Sequence, residues 1–256
     1  MGRLEGKVAV ITGTSTGQGR AAALAFTAEG ATVIGCSRTA ENQSETVRLV
    51  REAGREMHST SPLDLCDYDA VATWIESVVE EFGGIDILYN NAGEPKFGTA
   101  GEMSLEDWHF TFQHEIDITY HTVRAAWPHL VKRGAASIVN VASISGIIGV
   151  RTLPQTAHAA TKMGIIGMTR QLAAEGAPHG IRANTISPGL IDTPATSHLI
   201  AMGAEGPLGQ IMSLLPLKRT GRAPDLVRAA LFLASDESSY VTGANIVVDG
   251  GLSVLS

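Results

Sequence analysis

The sequence is poor in cysteine, in basic residues and in long apolar runs. Its 256 residues include only two cysteines, Cys36 and Cys66, which are too few for a disulfide framework. Lys and Arg total 19 against 26 Asp and Glu, and no basic cluster offers a surface for nucleic acid or an anionic membrane. No apolar run is long enough to span a bilayer, and the first residues lack the apolar stretch of a signal peptide. These absences predict a cytoplasmic enzyme with no nucleic-acid or membrane partner.

Charged residues are scarce as well, and their scarcity excludes an intrinsically disordered chain. They make up 18% of the sequence, whereas apolar residues make up 44%. The length suits one large domain or two small ones. Because no Pro/Gly/Ser-rich linker divides the chain and no internal repeat is visible, we predict a single domain over residues 1–256. The abundant residue is glycine, with 28 copies.

Short apolar runs alternate with helical stretches along the whole chain. The predicted strands are Val8–Ile11, Ala31–Cys36, Glu56–Ser59, Ile85–Tyr89, Ser137–Val141, Ile181–Ile186 and Asn245–Asp249. The predicted helices are Arg20–Glu29, Glu41–Ala53, Asp67–Phe82, Leu105–Lys132, Thr156–Gly176 and Asp225–Ala234. This alternation is typical of right-handed βαβ units, so we predict an α/β fold with a doubly wound parallel sheet of about seven strands. Residues 195–217 have weak periodicity, and we interpret them as a mobile lid over a substrate.

A glycine-rich loop joins the first strand to the first helix. Its glycines allow a tight turn and let backbone N–H groups approach a pyrophosphate at the helix N-terminus. The predicted dinucleotide-binding residues of this loop are Gly13, Ser15, Thr16, Gly17, Gln18 and Gly19. The strand–loop–helix context favours a dinucleotide site over a purely structural turn.

The spacing Gly-x3-Gly-x-Gly resembles that of the short-chain dehydrogenase/reductase superfamily, and the resemblance extends over nearly the whole chain. Further matching segments are Asn90-Asn91-Ala92-Gly93, Ser187-Pro188-Gly189 with Ile191 and Thr193, Thr242-Gly243, and Val248-Asp249-Gly250-Gly251. The resemblance implies a single Rossmann-type domain that binds a nicotinamide dinucleotide. It assigns cofactor contacts to Asn91, Ala92, Gly93, Pro188, Gly189, Ile191 and Thr193, and it implies a homodimer or homotetramer built on the long helices.

The end of the second strand predicts the choice of cofactor. An acidic residue there would bind the ribose 2′-OH of NAD, but the sequence has Cys36-Ser37-Arg38. Arg38 can pair with a 2′-phosphate and Ser37 can donate to it, so we predict NADP(H). An exposed loop arginine is the alternative. Asp64 and Leu65 resemble the family's adenine-contacting pair, although Asp64 also suits a turn after Pro62.

The catalytic pattern of the family is only half present. The family uses Asn, Ser, Tyr and Lys; here Ser143 matches the Ser, with Ser145 as its alternative, and Lys162 matches the Lys. His158 stands where the Tyr is expected, and Glu115 stands where the Asn is expected. The resemblance also gives Lys162 a role at the nicotinamide ribose. Both substituted side chains have a simpler interpretation, His158 as a structural histidine and Glu115 as part of a solvated face.

The two substitutions change the chemistry that the cleft can perform. His158 and Lys162 are four residues apart and share one helix face, and imidazole is a competent acid or base near neutral pH. A glutamate adds a negative charge, which favours a cationic substrate or transition state. Glu94, Arg151 and Gln155 are further candidates for lining residues. No cluster has metal-ligand spacing, so we predict no catalytic metal.

Three hypotheses about activity remain open from the sequence. The first is an NADP(H)-dependent oxidoreductase that transfers hydride to or from a small organic substrate, with a cyclic imine as acceptor rather than a ketone. The second is a lyase, isomerase or dehydratase that uses Glu115 and His158 as an acid–base pair. The third is a dinucleotide-binding protein without catalysis. Matches to the family's nicotinamide segment favour the first.

Overall fold

Seven short strands pair side by side into one parallel sheet, which forms the centre of the structure. The computed structural model describes residues 2–255, so Met1 and Ser256, the ends of the predicted domain, lie outside the described residues. The strands are β1 (Val8–Thr12), β2 (Thr32–Cys36), β3 (Met57–Thr60), β4 (Ile87–Asn90), β5 (Ala136–Val141), β6 (Ile181–Pro188), β7 (Ile191–Asp192), β8 (Gly221–Arg222) and β9 (Asn245–Val248). The order in the main sheet is β3-β2-β1-β4-β5-β6-β9, and β7 pairs with β8 separately.

Helices cover both faces of the main sheet. They are α1 (Gly17–Ala28), α2 (Ala40–Glu52), α3 (Tyr68–Phe82), α4 (Leu105–Phe112), α5 (Ile118–Arg133), α6 (Thr156–Gly176), α7 (Ser197–Ala201), α8 (Gly209–Leu214) and α9 (Ala223–Ala234). A π-helical turn, Gln113–Asp117, joins α4 to α5. Within residues 2–255, no helix combines the length and the apolar character needed to cross a bilayer.

Burial on both faces explains why β1 is a nearly continuous apolar run. Along β1, Val8 and Val10 join a core with α3 and α5, whereas Ala9 and Ile11 join a second core with α1 and α9. Successive side chains of a strand point to opposite faces, so a strand between two helix layers has no polar side. The predicted α/β fold with about seven parallel strands is confirmed.

The strand order reverses direction between β1 and β4. In a doubly wound sheet, the loops at the carboxyl ends of the strands separate at this switch point and leave a crevice for a ligand. At the other end of the same strands, the carboxylate of Asp86 accepts from the backbone N–H of Val8 at 2.8 Å and from Arg133 at 2.7 and 2.9 Å. This ion pair ties the end of α5 to the sheet, away from the crevice.

The helical region predicted over Leu105–Lys132 is present, and its one departure from α-helical geometry is the π-helical turn between α4 and α5. At the start of α5, the backbone N–H of Ile118 bonds to the carbonyl of Gln113, five residues earlier. Such a turn holds one more residue than an α-helical turn, and π-helical turns are frequent at functional sites. The sequence also did not predict β7 and β8, because strands of two residues have no readable periodicity.

The segment predicted as a lid, residues 195–217, contains two short helices, α7 and α8. Leu208, Ile211 and Leu215 of this segment are buried against Ile144 and Leu252. The segment therefore covers an apolar cluster beside the crevice. Its mobility stays a prediction.

Candidate active site

A large cleft opens at the carboxyl ends of the strands, where the strand order reverses. It has a volume of about 630 Å³. Its walls are the loops that follow β1, β2, β3, β4, β5 and β6, together with parts of α6 and of residues 195–217. Most of the predicted site residues line it: Gly13, Ser15, Thr16, Gly17, Gln18, Ser37, Arg38, Asp64, Leu65, Asn91, Ala92, Gly93, Glu115, Ser143, His158, Lys162, Pro188, Gly189 and Thr193.

The glycine loop presents the beginning of α1 to the cleft. Gly13 and Gly17 have φ angles of 72° and 54°, in the left-handed region that side chains disfavour. Thr16, at the N-cap, makes no side-chain hydrogen bond to the helix, and the first turn of α1 holds no acidic residue. The positive end of the helix dipole is therefore available for an anion.

Two predicted cofactor residues, Gly19 and Ile191, do not line the cleft. A Cβ on Gly19 would lie 2.1 Å from the carbonyl oxygen of Gly13, so Gly19 lets the loop close on α1 from beneath. Ile191 is 3% exposed, and its side chain packs at Gly221. Each residue supports the loop that carries its neighbours, and a cofactor contact for either one stays a prediction.

Asn91 holds the glycine loop against the loop after β4. Its side-chain Nδ2 donates to the carbonyl of Thr12 at 3.2 Å, and its backbone N–H donates to the Thr12 hydroxyl at 3.0 Å. The two walls of the switch point are thereby joined. This structural role exists whether or not Asn91 also contacts a cofactor.

The polar groups at the end of β2 already have partners within the protein. The Ser37 hydroxyl donates to the carbonyl of Thr39 at 3.0 Å, and Ser37 is only 7% exposed. The Arg38 guanidinium pairs with the carboxylate of Glu94 at 2.5 Å. Asp64 accepts from the backbone N–H of Cys66 at 2.9 Å, as expected of a turn residue. Asp64 also lines the cleft.

Glu115 is the centre of a buried polar cluster in the cleft. It is 1% exposed, and its two oxygens lie 2.8 and 3.0 Å from Nδ1 of His158. The ammonium of Lys162 lies 3.5 Å from Oε1, and the hydroxyl of Thr161 donates to Oε2. His158, Thr161 and Lys162 share the face of α6 that meets the π-helical turn carrying Glu115.

The charge of Glu115 is stabilised by these neighbours. Burial disfavours the ionised carboxyl, but the positive charge of Lys162 and the hydrogen bonds from His158 and Thr161 favour it. The balance keeps the pKa of Glu115 below its ordinary value of 4.5. A carboxylate can only accept hydrogen bonds, so Nδ1 of His158 carries the hydrogen and Nε2 is the ring atom left for another partner.

A second polar group lies beside this cluster. The hydroxyl of Ser143 donates to that of Ser145 at 3.1 Å, and Ser145 donates to Oε1 of Gln155 at 3.0 Å. All three residues line the cleft, so both serines considered for the family's Ser position are present in it. Arg151, by contrast, is exposed and does not line the cleft.

Sequence reasoning missed Thr161 and Phe97. Thr161 binds the carboxylate of Glu115, and its position three residues after His158 is a helix-face signal that could have identified it. The ring of Phe97 lies edge-on to His158, with 5.9 Å between ring centres, and it gave no signal because it belongs to an irregular loop. Over residues 2–255, no three His, Cys, Asp or Glu side chains form a group suited to a metal ion.

The parallel sheet, the glycine loop at its switch point and the uncapped helix beneath it define a dinucleotide-binding α/β protein. Residues 13–253 match the model of the family described as enoyl-(acyl carrier protein) reductase. The chain is 41% identical over 252 residues to a 3-oxoacyl-(acyl-carrier-protein) reductase of Thermotoga maritima, covering 98% of this chain and 99% of that protein. It is 34% identical over 253 residues to D-threitol dehydrogenase of Mycolicibacterium smegmatis, covering 98% and 95%.

Solved structures agree with these sequence matches. A candidate short-chain dehydrogenase/reductase from Burkholderia xenovorans superposes with a TM-score of 0.94 at 37% identity over 99% of both chains. A candidate 2-deoxy-D-gluconate 3-dehydrogenase from Agrobacterium tumefaciens, with bound NADP, has a TM-score of 0.88 at 33% identity over 97% of both chains. The chain belongs to the short-chain dehydrogenase/reductase superfamily and is an NAD(P)-dependent oxidoreductase.

Proposed function

We propose that this protein is an NADP(H)-dependent reductase whose acceptor is the C=N bond of a small cyclic imine. The observation that carries the proposal is the buried carboxylate of Glu115, which binds Nδ1 of His158 and lies 3.5 Å from Lys162. In this proposal Glu115 and His158 take the family's Asn and Tyr positions, while Ser143 and Lys162 keep theirs.

The cleft fits a dinucleotide. The uncapped start of α1 supplies backbone N–H groups for a pyrophosphate, and the left-handed glycines shape the loop around it. Arg38 would hold a 2′-phosphate, which favours NADP(H), and Lys162 would hold the nicotinamide ribose. The reduced nicotinamide, when bound, supplies a hydride.

The protein supplies the proton through His158. The Glu115 carboxylate accepts a hydrogen bond from Nδ1 of His158, so the ring donates a proton to the substrate when Nε2 carries its second hydrogen. Nε2 can then give its proton to the nitrogen of a neutral imine, which becomes an iminium ion. Hydride addition to the iminium carbon yields a neutral amine, and His158 regains a proton from solvent.

A buried carboxylate suits a cationic intermediate better than an anionic one. Reduction of a ketone builds negative charge on oxygen, and the carboxylate of Glu115 would oppose that charge. An iminium ion carries positive charge before hydride arrives, and the same carboxylate attracts it. The sign of the charge at Glu115 therefore favours C=N over C=O.

The rest of the cleft favours an apolar body for the substrate. Phe97 stands beside His158, and Leu153, Leu199, Leu208 and Ile211 also line the cleft. Residues 195–217 would exclude water by closing over such a substrate, which is the role proposed for this segment.

A carbonyl substrate is the second candidate, and the Ser143 hydroxyl is the observation that favours it. This hydroxyl lines the same cleft and can donate to a substrate oxygen. Relatives described as a 3-oxoacyl reductase and a threitol dehydrogenase support the same candidate. His158 would then be the proton donor to an alkoxide.

A comparison of a neutral cyclic imine, its N-methyl iminium salt and the matching cyclic ketone tests the proposal. NADPH oxidation is followed for the wild type, Glu115→Gln and His158→Ala. We expect the wild type to prefer both nitrogen substrates, and we expect Glu115→Gln to lose about 100-fold or more in kcat/KM on both. His158→Ala should lose as much on the neutral imine but little on the N-methyl salt, because that substrate needs no proton.

Asp86→Asn is the matched control, because it removes a buried carboxylate away from the cleft. Thermal unfolding of each variant separates misfolding from lost chemistry. If the enzyme reduces the ketone and neither nitrogen substrate, the proposed activity is wrong and the protein is a C=O reductase. Product formation without oxidation of NADPH would favour the lyase or isomerase alternative, and dinucleotide binding without any turnover would favour a non-catalytic protein.

A further inference from the structure

An ion pair joins two walls of the cleft, the loops that follow β2 and β4. Arg38 follows β2 and Glu94 follows β4, and these strands lie on either side of β1 in the sheet. Nη2 of Arg38 and Oε2 of Glu94 are 2.5 Å apart, although the two residues are separated by 56 positions in sequence. Both side chains line the cleft. The pair therefore spans the glycine loop that begins at the end of β1.

Glu94 is held in place by its backbone. Its N–H donates to the carbonyl of His114 at 3.1 Å, within the π-helical turn that also carries Glu115. The Arg38 hydrogen bond lowers the pKa of Glu94, partial burial raises it, and the positive charges of Arg38 and Lys96 lower it further. The net pKa lies below the ordinary value, so Glu94 is a carboxylate at neutral pH.

The guanidinium of Arg38 already gives one of its five N–H donors to the carboxylate of Glu94. Its N–H donors are oriented in a planar fork, and a phosphate uses the same donors as a carboxylate. A 2′-phosphate must therefore replace Glu94 at Arg38 or bind next to a carboxylate of the same charge. A cofactor with a free 2′-hydroxyl neither has to displace Glu94 from Arg38 nor places a second negative charge beside it.

We propose that Glu94 is a specificity-determining residue for the dinucleotide, which competes with the 2′-phosphate for Arg38. This inference rests on the proposed use of NADP(H). Glu94 lowers the preference of the cleft for NADP(H) over NAD(H), because its carboxylate weakens only the binding of the phosphorylated cofactor. Its exposed position makes this a tuning effect rather than a complete exclusion.

Equilibrium binding of NADPH and NADH, followed by cofactor fluorescence without substrate, tests the inference. Glu94→Gln keeps the size of the side chain and removes its charge. We expect it to lower the Kd of NADPH by about two- to fivefold, as for an exposed ion pair, and to leave the Kd of NADH unchanged. In an Arg38→Ala background, the same change should lose most of its effect on NADPH.

Glu52→Gln is the matched control, since Glu52 is an exposed carboxylate that pairs with Arg48 outside the cleft and its loss changes the net charge equally. Unchanged NADPH binding in Glu94→Gln would overturn the inference. Weaker binding of both cofactors would also overturn the inference, because the Arg38–Glu94 ion pair would then stabilise the adenosine part that both cofactors share. If the wild type binds neither NADPH nor NADH, the proposed function itself is wrong. That result differs from both outcomes above, in which the wild type binds a cofactor and only the role of Glu94 is wrong.

Discussion

A glutamate in the position of Glu115 changes the charge of the cleft and also orients its neighbours. Its oxygens accept from His158 and Thr161 and face Lys162, so one carboxylate organises three side chains of α6. Each contact is a charge-assisted hydrogen bond or ion pair inside the protein, where screening by water is weak. The simpler interpretation of Glu115 as a solvated side chain is therefore wrong for this structure.

Thr161→Val tests how much the carboxylate depends on its hydrogen bonds. Valine has nearly the shape of threonine but cannot donate to Oε2 of Glu115. The lost bond raises the pKa of Glu115, so the acidic limb of the kcat/KM profile should move to higher pH. The variant should therefore lose activity at acidic pH and regain it at neutral pH, where the carboxylate of Glu115 is ionised in both proteins.

Thr27→Val is the control for this prediction. Thr27 is 3% exposed, and its hydroxyl donates to the carbonyls of Ala23 and Leu24 within α1, so the substitution changes a buried threonine outside the cluster. An acidic limb at the same pH in wild type and Thr161→Val would show that Thr161 does not support the ionised form of Glu115.

At the scale of elements, the site depends on two departures from regular structure. The glycine loop uses left-handed backbone at Gly13 and Gly17, and the π-helical turn inserts a residue between α4 and α5. The loop was predictable, because glycine spacing is a local signal. The π-helical turn was not, because nothing in the sequence of Leu105–Lys132 distinguishes it from a continuous helix.

Gly19→Ala tests the close packing beneath the loop. A methyl group there would lie 2.1 Å from the carbonyl oxygen of Gly13, so the loop must move away from α1. We expect dinucleotide affinity to fall by about tenfold or more, as for the loss of one hydrogen bond to a charged group. Fluorescence titration with NADPH measures it.

The control for Gly19→Ala is Gly149→Ala, where an added Cβ meets nothing within 4 Å. Equal affinity of Gly19→Ala and the wild type would mean that the loop can shift without cost. Circular dichroism and thermal unfolding of both variants show whether the fold itself is retained.

At the scale of the whole molecule, α5 and α6 each expose an apolar side chain at the surface. Tyr120 on α5 is 48% exposed, and Met163 on α6 is 46% exposed. The resemblance to the family predicts that such helices form a subunit interface, and an exposed apolar side chain on each helix fits that expectation. The oligomeric state and the cytoplasmic location both stay predictions.

Light scattering of the purified protein tests the predicted assembly. We expect a dimer or tetramer for the wild type, and we expect Tyr120→Glu with Met163→Glu to produce smaller species, because buried unpaired charges disfavour association. Met202→Glu, at an apolar residue that is 56% exposed in another segment, is the control. A monomeric wild type, or unchanged assembly of the double variant, would contradict the prediction.

The sequence by itself determined the parallel α/β sheet and the glycine loop, and its resemblance to the family predicted most residues of the cleft. These features are local, since strand periodicity, helix ends and glycine spacing are set within a few neighbouring residues. Only the tertiary structure decided the partners of the charged groups. Glu115 meets His158 across 43 positions and Arg38 meets Glu94 across 56, because the sheet topology brings distant loops to one edge. No local sequence pattern predicts these two contacts, and the chemistry proposed for this protein depends on them.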